Sequence, residues 1–554
     1  LGAGNGNMKR KGIDITEFLL WVGIVILINI IVSQYFFRID LTEDDRYTIS
    51  DSSKEILKSI DDVVYIEVYL TGDQLPADYK RLERSLKETM DEFRVYAGNN
   101  VQYKFLDPNK DSDPERQSKV YQYLSQKGIK PTSIATNDGE RYVFPGALIV
   151  YKEKEVPLIL LKGNKAAGEA EMINQSIENL EYELISGIRQ LTISKKKSIA
   201  FTEGHGEYEP TSLSDLSNTL SSFYNVYSIN LKKIKSLENY EAVVVARPET
   251  AFSEEEKYLL DQYVMGGGNV LFFIDPLHVS MDSIGESGTL ALPYTHNLDD
   301  MLFKYGIKLN ENLIQDIQAT LIPMYVGEMG NKPQIRMMPW NYYPLLNNFG
   351  DHPTVKNIDV VYSKFASTLD TVKAAGVNKT PLVFSSKYSK VLSAPVRVDL
   401  NEARKKVNPE EFADGPYTVS YLLEGNFQSL YKNRPLPVQD KSFKAEGKKA
   451  RILITSDADI IKNEISKKGN QLQEIPLKQG NKDFVTNVVD YMLDEQGLIS
   501  VRAKEITLRP LDKVKVKDDK LMWQIINLVL PVLLILLFGI IRFYIRKKKY
   551  ESFK

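Results

Sequence analysis

At 554 residues the chain is too long for one hydrophobic core, and its 43% apolar and 26% charged residues are those of a globular protein. A formal net charge of -2 supplies no basic field for nucleic acid. The absence of cysteine excludes disulfides, thiolate nucleophiles and cysteine-ligated zinc together.

Residues 1–7, LGAGNGN, read as an artificial leader before Met8, and residues 8–14 as a short cytoplasmic tail. Residues 15–37 contain the run FLLWVGIVILINIIVSQYFF, Phe18 to Phe37, which has no formal charge and the length of a transmembrane helix. No small-residue cleavage site follows it, which disfavours a signal peptide. A second run, LMWQIINLVLPVLLILLFGII over residues 521–541, reads as another span, and Pro531 inside it suits a membrane better than a soluble core. Lys9-Arg10-Lys11 precede the first run, and Arg542 with Arg546 to Lys549 follow the second. This bias predicts cytoplasmic termini, a basic tail over 542–554 and an extracytoplasmic region between the spans.

Two α/β blocks are expected in that region. In the first, residues 38–194, VVYIEVYL is a strand, Tyr79, Leu82, Leu86, Met90 and Phe93 recur at helical spacing, and VQYKFL is a second, parallel strand. ALIVY and VPLILL form a hairpin on that sheet, and a helix from about Gly168 to Leu191 closes the block. The second block, residues 195–510, opens with the strand SIAFTE, then the helix SLSDLSNTLSSFY and the strands NVYSINL and YEAVVVARP. Ser253 to Glu256 form a capping box, Gly266-Gly267-Gly268 end that helix, and NVLFFIDP is the next strand. TPLVFSS, YTVSYLLEG and ARILITSDADI add strands, and Phe484 to Leu493 a helix. The expected architecture is an open doubly wound sheet, with an insertion over about 277–380 where periodicity is weak.

The candidate site is the loop Glu203-Gly204-His205-Gly206-Glu207, at the carboxyl end of a first strand, where such sheets bind ligands. Its two carboxylates and imidazole alternate along a glycine-rich turn and do not share a helical face, so the leading expectation is a structural turn bonded to backbone groups. Ligand contact is the alternative, with metal or catalysis behind it. His278, His296 and His352 stand singly without ligand spacing, and Asp457 and Asp459 read as a solvated loop. There is no G-x-S-x-G elbow and no G-x-x-x-x-G-K-[ST] loop, so no cofactor, metal or catalytic residue is assigned, and nucleotide hydrolysis falls to a partner. In the apolar runs, Asn29, Gln524, Asn527, Pro531 and Gly539 are candidate contacts to other membrane helices.

FTEGHGE after a strand, AVVVARP with FSEEEKYLLDQYVMGGGNVLFFIDP, ITSDADIIKNE and DFVTNVVDYMLDEQGLISVRAKEITLRPLD occur in this order between two apolar runs. In this the chain resembles the GldG family, membrane-anchored gliding-motility components of Bacteroidetes grouped with auxiliary proteins of ABC-2 type transporters. The resemblance implies a GldF-like permease and a GldA-like ATPase as partners, and a domain similar to intraflagellar-transport proteins and to amidotransferase-like folds, here without the catalytic cysteine. The resulting expectation is a noncatalytic, two-pass inner-membrane subunit presenting a periplasmic domain. A periplasmic glycan-binding receptor, or an envelope-glycan enzyme using Glu203, Glu207 or Asp457, is the competing reading.

Overall fold

The computed structural model describes residues 20–27, 48–503 and 519–551, apart from 74, 112, 137–138, 194, 282–283, 285–287, 331, 469–470 and 495–496. It divides into two compact units, Leu1–Lys504 and Glu505–Lys554.

The first sheet of the large unit comprises β1 (Val64–Val68), β2 (Val101–Phe105), β3 (Gly146–Tyr151) and β4 (Lys154–Ile159), in the spatial order β2-β1-β3-β4. Helix α1 (Ala77–Ala97) makes the crossover from β1 to its parallel neighbour β2. It buries Tyr79, Leu82, Leu86, Met90 and Phe93, the stripe expected of a helix with one face on a sheet. The β3–β4 hairpin adds antiparallel strands to the other edge of β1. Helix α2 (Glu169–Thr192) packs its apolar face on the same core, and Gly187 allows the approach, since a Cβ there would lie 2.7 Å from Ile149 Cδ1. Leu498, Ile499 and Val501, from the far end of this unit, complete that core.

The second sheet takes eight strands: β5 (Ser198–Glu203), β6 (Asn225–Asn230), β7 (Ala242–Ala246), β8 (Asn269–Phe273), β9 (Asn348–Phe349), β10 (Val377–Phe384), β11 (Thr418–Gln428) and β12 (Glu446–Thr455). Their spatial order is β9-β10-β11-β12-β8-β7-β5-β6. The five strands from β12 to β6 are mutually parallel, whereas β11, β10 and β9 continue the sheet antiparallel. Every residue of β7, AVVVA, is buried because helices cover both faces. Ala242 and Val244 face α3 (Ser214–Ser221) and α5 (Gln479–Leu493), while Val243 and Val245 face α4 (Glu254–Met265). Ser253 and Glu256 form the capping box of α4, and Gly266 caps its other end.

The weakly periodic stretch after β8 is rich in β-structure. Its main feature is a long hairpin, Ala319–Met329 with Lys332–Leu346, over a core containing Trp340, Tyr342, Tyr343 and Phe365. Between the two sheets, Asp490 of α5 accepts hydrogen bonds from Tyr182 (3.1 Å) of α2 and Tyr224 (2.5 Å). Nearby, the Arg502 guanidinium donates to Asn487 Oδ1 and to the Lys356 carbonyl, both at 3.0 Å.

The small unit contains helix α6 (Lys520–Glu551), in which Lys520–Lys548 is long and apolar enough to cross a bilayer. Gln524, Asn527, Pro531 and Gly539 all lie on it, and the Asn527 amide donates to the Trp523 carbonyl one turn earlier (2.9 Å). Of the first apolar run, residues 20–27 are helical, and the remainder, Asn29 included, lies outside the described residues.

Candidate functional site

In the second sheet β5 has β6 on one side and β7 on the other, so successive connections leave in opposite directions and open a crevice at the carboxyl ends of β5 and β7. The loop after β5 fills it. Gly204 and Gly206 adopt φ of 111° and 77°, a region open to glycine but strained for other residues, and a Cβ on Gly204 would lie 2.7 Å from Asn230 Nδ2. The His205 carbonyl accepts the N–H groups of Glu249 (2.7 Å) and Thr250 (3.0 Å) from the loop after β7. These bonds tie the two lips of the crevice together.

The His205 imidazole is fully buried. It stacks on Phe252, with centroids 3.9 Å apart and planes 10° from parallel. Glu207 Oε1 is 3.4 Å from Nδ1 and Glu256 Oε1 is 3.2 Å from Nε2, which is ion-pair contact without well-directed hydrogen bonds. Burial disfavours charge on the ring, but the two carboxylates outweigh it and raise the pKa. Burial likewise opposes charge on Glu207 and Glu256. Contacts with His205, backbone N–H bonds and, for Glu256, Ser253 prevail and lower both values. The other Glu207 oxygen accepts the His205 N–H at 2.6 Å.

Against the expectation of a turn bonded mainly to backbone, the imidazole is thus held by carboxylates, because Glu256 arrives from a helix folded over the loop. Glu203 is exposed at the strand end and stands apart from this contact. Phe252 and Glu256 were not among the expected site residues. The capping-box pattern accounts for one Glu256 oxygen, bonded to the Ser253 N–H at 2.8 Å, and carries no signal for the other.

A second polar cluster lies at the same edge, where β7, β8 and β12 end. Arg247, at φ 59°, bonds Asp275 (3.2 Å) and Glu249 (2.8 Å), and its guanidinium lies 5.1 Å from the Tyr208 ring centroid. Asp275 also accepts the Ala458 N–H (2.7 Å), and the Tyr208 hydroxyl donates to Asp459 (2.8 Å). Asp457 is fully buried and accepts from the Ser363 hydroxyl and from the N–H groups of Lys364 and Asp459, each of the latter at 2.8 Å.

The expectation of a solvated loop at Asp457 and Asp459 is therefore corrected. The chain after β12 turns beneath the insertion, where backbone donors replace water. Burial pushes the Asp275 carboxyl up to about 7, with the Asp459 charge adding and Arg247 opposing, and pushes Asp457 well above the usual carboxylate range. Arg247 and Asp275 had a signal in the sequence, each following the apolar run of a buried strand.

The rings of His278 and His296 both contact Tyr294, with centroids 5.2 Å away. Burial lowers the His296 pKa to about 4. His352 caps the short helix Pro353–Val355. Among the described residues no group of three or more His, Asp or Glu side chains is placed to hold a metal ion. A cavity of about 740 Å³ runs along α4, lined by Lys232, Leu237, Glu255, Tyr258, Tyr263 and Lys444 among others.

A family model described as "ABC-type uncharacterized transport system" matches residues 196–488, which include the second sheet and both polar clusters. A model described as a domain of unknown function matches residues 43–150. A protein of Borreliella burgdorferi described as uncharacterized is 23% identical over 562 residues, covering 98% of this chain and all of the relative. A solved structure titled "mmIFT52 N-terminal domain" aligns with 56% of this chain and all of that domain at 13% identity and a TM-score of 0.31, too slight a likeness to bear on the fold.

Proposed function

The chain belongs to the ABC-type transport-system auxiliary family, and from that premise we propose that it is a noncatalytic, membrane-anchored subunit of an ABC-2 type transporter complex. The observation that carries the noncatalytic reading is the plugged crevice. Where open α/β sheets receive substrates, His205 is buried between Glu207 and Glu256, and its carbonyl is bonded to the opposite lip. Of the acids of the competing glycan-enzyme reading, Glu207 and Asp457 serve internal contacts, with Asp457 fully buried, and Glu203 is exposed at the strand end apart from both.

In this proposal two α/β blocks, 38–194 and 195–510, form a periplasmic body, the second amidotransferase-like without its cysteine. The apolar runs at residues 18–37 and 521–541 are both spans, and both termini are cytoplasmic. A GldF-like permease supplies the conduction path and a GldA-like ATPase the nucleotide hydrolysis. Surface gliding is the process served, as the resemblance in FTEGHGE and the motifs after it implies.

Gentle solubilisation of native membranes, affinity capture of this chain and mass spectrometry test the proposal. Co-enrichment of a polytopic permease together with an ATP-binding subunit is expected. Capture of neither overturns it.

A further inference from the structure

The long hairpin Ala319–Met329/Lys332–Leu346 carries apolar residues on both faces. One face is ordinary: Ile322 and Met324 are 5% and 6% exposed and pack over Trp340 in the core of the insertion. On the other face Leu321, Pro323 and Tyr325 stand directly across from Pro339, Met337 and Ile335. All six are exposed, Leu321 by 52%, Tyr325 by 50%, Met337 by 53% and Ile335 by 66%. An antiparallel hairpin with one face on a core normally turns polar residues outward. Here three successive cross-strand pairs offer none, and Met329 near the turn is 72% exposed. A contiguous apolar patch of this kind needs a nonaqueous neighbour.

The surroundings favour one neighbour. Arg404, Lys405 and Lys406 are exposed beside the hairpin, with the Arg404 guanidinium donating to the Tyr325 carbonyl at 2.5 Å, while Arg336 is exposed on the opposite face, across from Met324. Opposing charge is sparse. Glu328 is exposed near the turn, whereas Glu402 is half-buried and accepts from Gln315, and Asp399 accepts the Asn401 N–H. An apolar face carrying tyrosine and methionine and bordered by cations is complementary to an anionic lipid surface, in which the apolar side chains enter the acyl boundary and the cations meet headgroups. The prolines, which have no N–H, make the hairpin a poor template for an added protein strand. We propose that this hairpin is a second membrane contact, inserting its outer face into an anionic lipid surface. The inference rests on the membrane anchoring proposed above.

The chain has no cysteine, so a single Met337→Cys substitution can carry an environment-sensitive fluorophore without background labelling. The full chain would be reconstituted in nanodiscs of phosphatidylcholine with or without phosphatidylglycerol, some containing spin-labelled acyl chains. Tyr142→Cys, at an exposed residue of the other block, is the control. Blue-shifted emission and lipid quenching are expected at residue 337 and not at 142, with quenching about twofold stronger in the anionic discs. Reversing charge in Arg404→Glu/Lys405→Glu/Lys406→Glu should remove the lipid dependence. Water-like emission at residue 337 in both lipids overturns the proposal. So does a blue shift without lipid quenching, which would mark a protein partner or a second copy on this face. Co-migration of the chain with the discs in gel filtration is read separately, and its loss would overturn the anchoring premise and the inference with it.

Discussion

His205 lies face to face with Phe252, ring centroids 3.9 Å apart, so that its edge is directed at the carboxylates of Glu207 and Glu256. The stack fixes the ring plane, and the two acids offset burial and raise the pKa of the imidazole.

Replacing His205 with Gln should therefore destabilise the chain more than an ordinary surface change, by about 3 kcal/mol, because two buried carboxylates lose their counter-charge. The folded pKa of His205 lies above its ordinary value of 6.5, so its contribution is full below that value and is lost as pH rises through the raised one. Urea unfolding of the detergent-solubilised wild type and variant should show a larger stability difference at acidic than at alkaline pH. An equal difference at both extremes would mean that His205 is neutral in the fold.

Asp275 predicts a trend of the same sign over a more acidic window. Its carboxyl is raised from 3.8 to about 7, so the protonated form favours folding, and that contribution is lost as pH rises between those values. In Asp275→Asn this dependence is absent. Relative to wild type, the variant should gain stability as pH is raised from about 4 to about 7, measured by the same unfolding curves.

The Asp490 carboxylate holds two tyrosines from different cores, Tyr182 on helix α2 and Tyr224 in the turn before β6. Asp490→Ala orphans the Tyr182 and Tyr224 hydroxyls in a buried setting and should cost about 2 to 4 kcal/mol, whereas Asp490→Asn keeps one acceptor and should cost less. Calorimetry of the two variants checks the order.

Removing residues 520–554 tests the number of spans. If the run from Phe18 to Phe37 also crosses the bilayer, the shortened chain stays in the membrane fraction after alkaline carbonate extraction. Release into the soluble fraction would leave α6 as the sole anchor.

Sequence legibility followed the range of the interactions concerned. The α1 stripe from Tyr79 to Phe93, the all-apolar β7 and the Ser253–Glu256 capping box were readable because each is dictated within about two helical turns or one strand. The hairpin at Ala319–Leu346 was not, since apolar residues on both faces and several prolines erase the alternation that identifies a strand. The candidate loop was recognisable as a tight turn at a strand end from its two glycines and its place after SIAFTE.

By itself the sequence determined the local elements, the bilayer length of the Leu521–Ile541 run and the exclusion of thiol chemistry, because periodicity, hydropathy and composition need no distant partner. Only the tertiary structure decided that Leu498–Val501 returns to the first core, that His205 meets Glu256, and that Asp457 is buried against Ser363 and Lys364. Those outcomes depend on groups far apart in the chain, and the protonation of a buried side chain is set by the neighbours that folding brings to it and the water it removes.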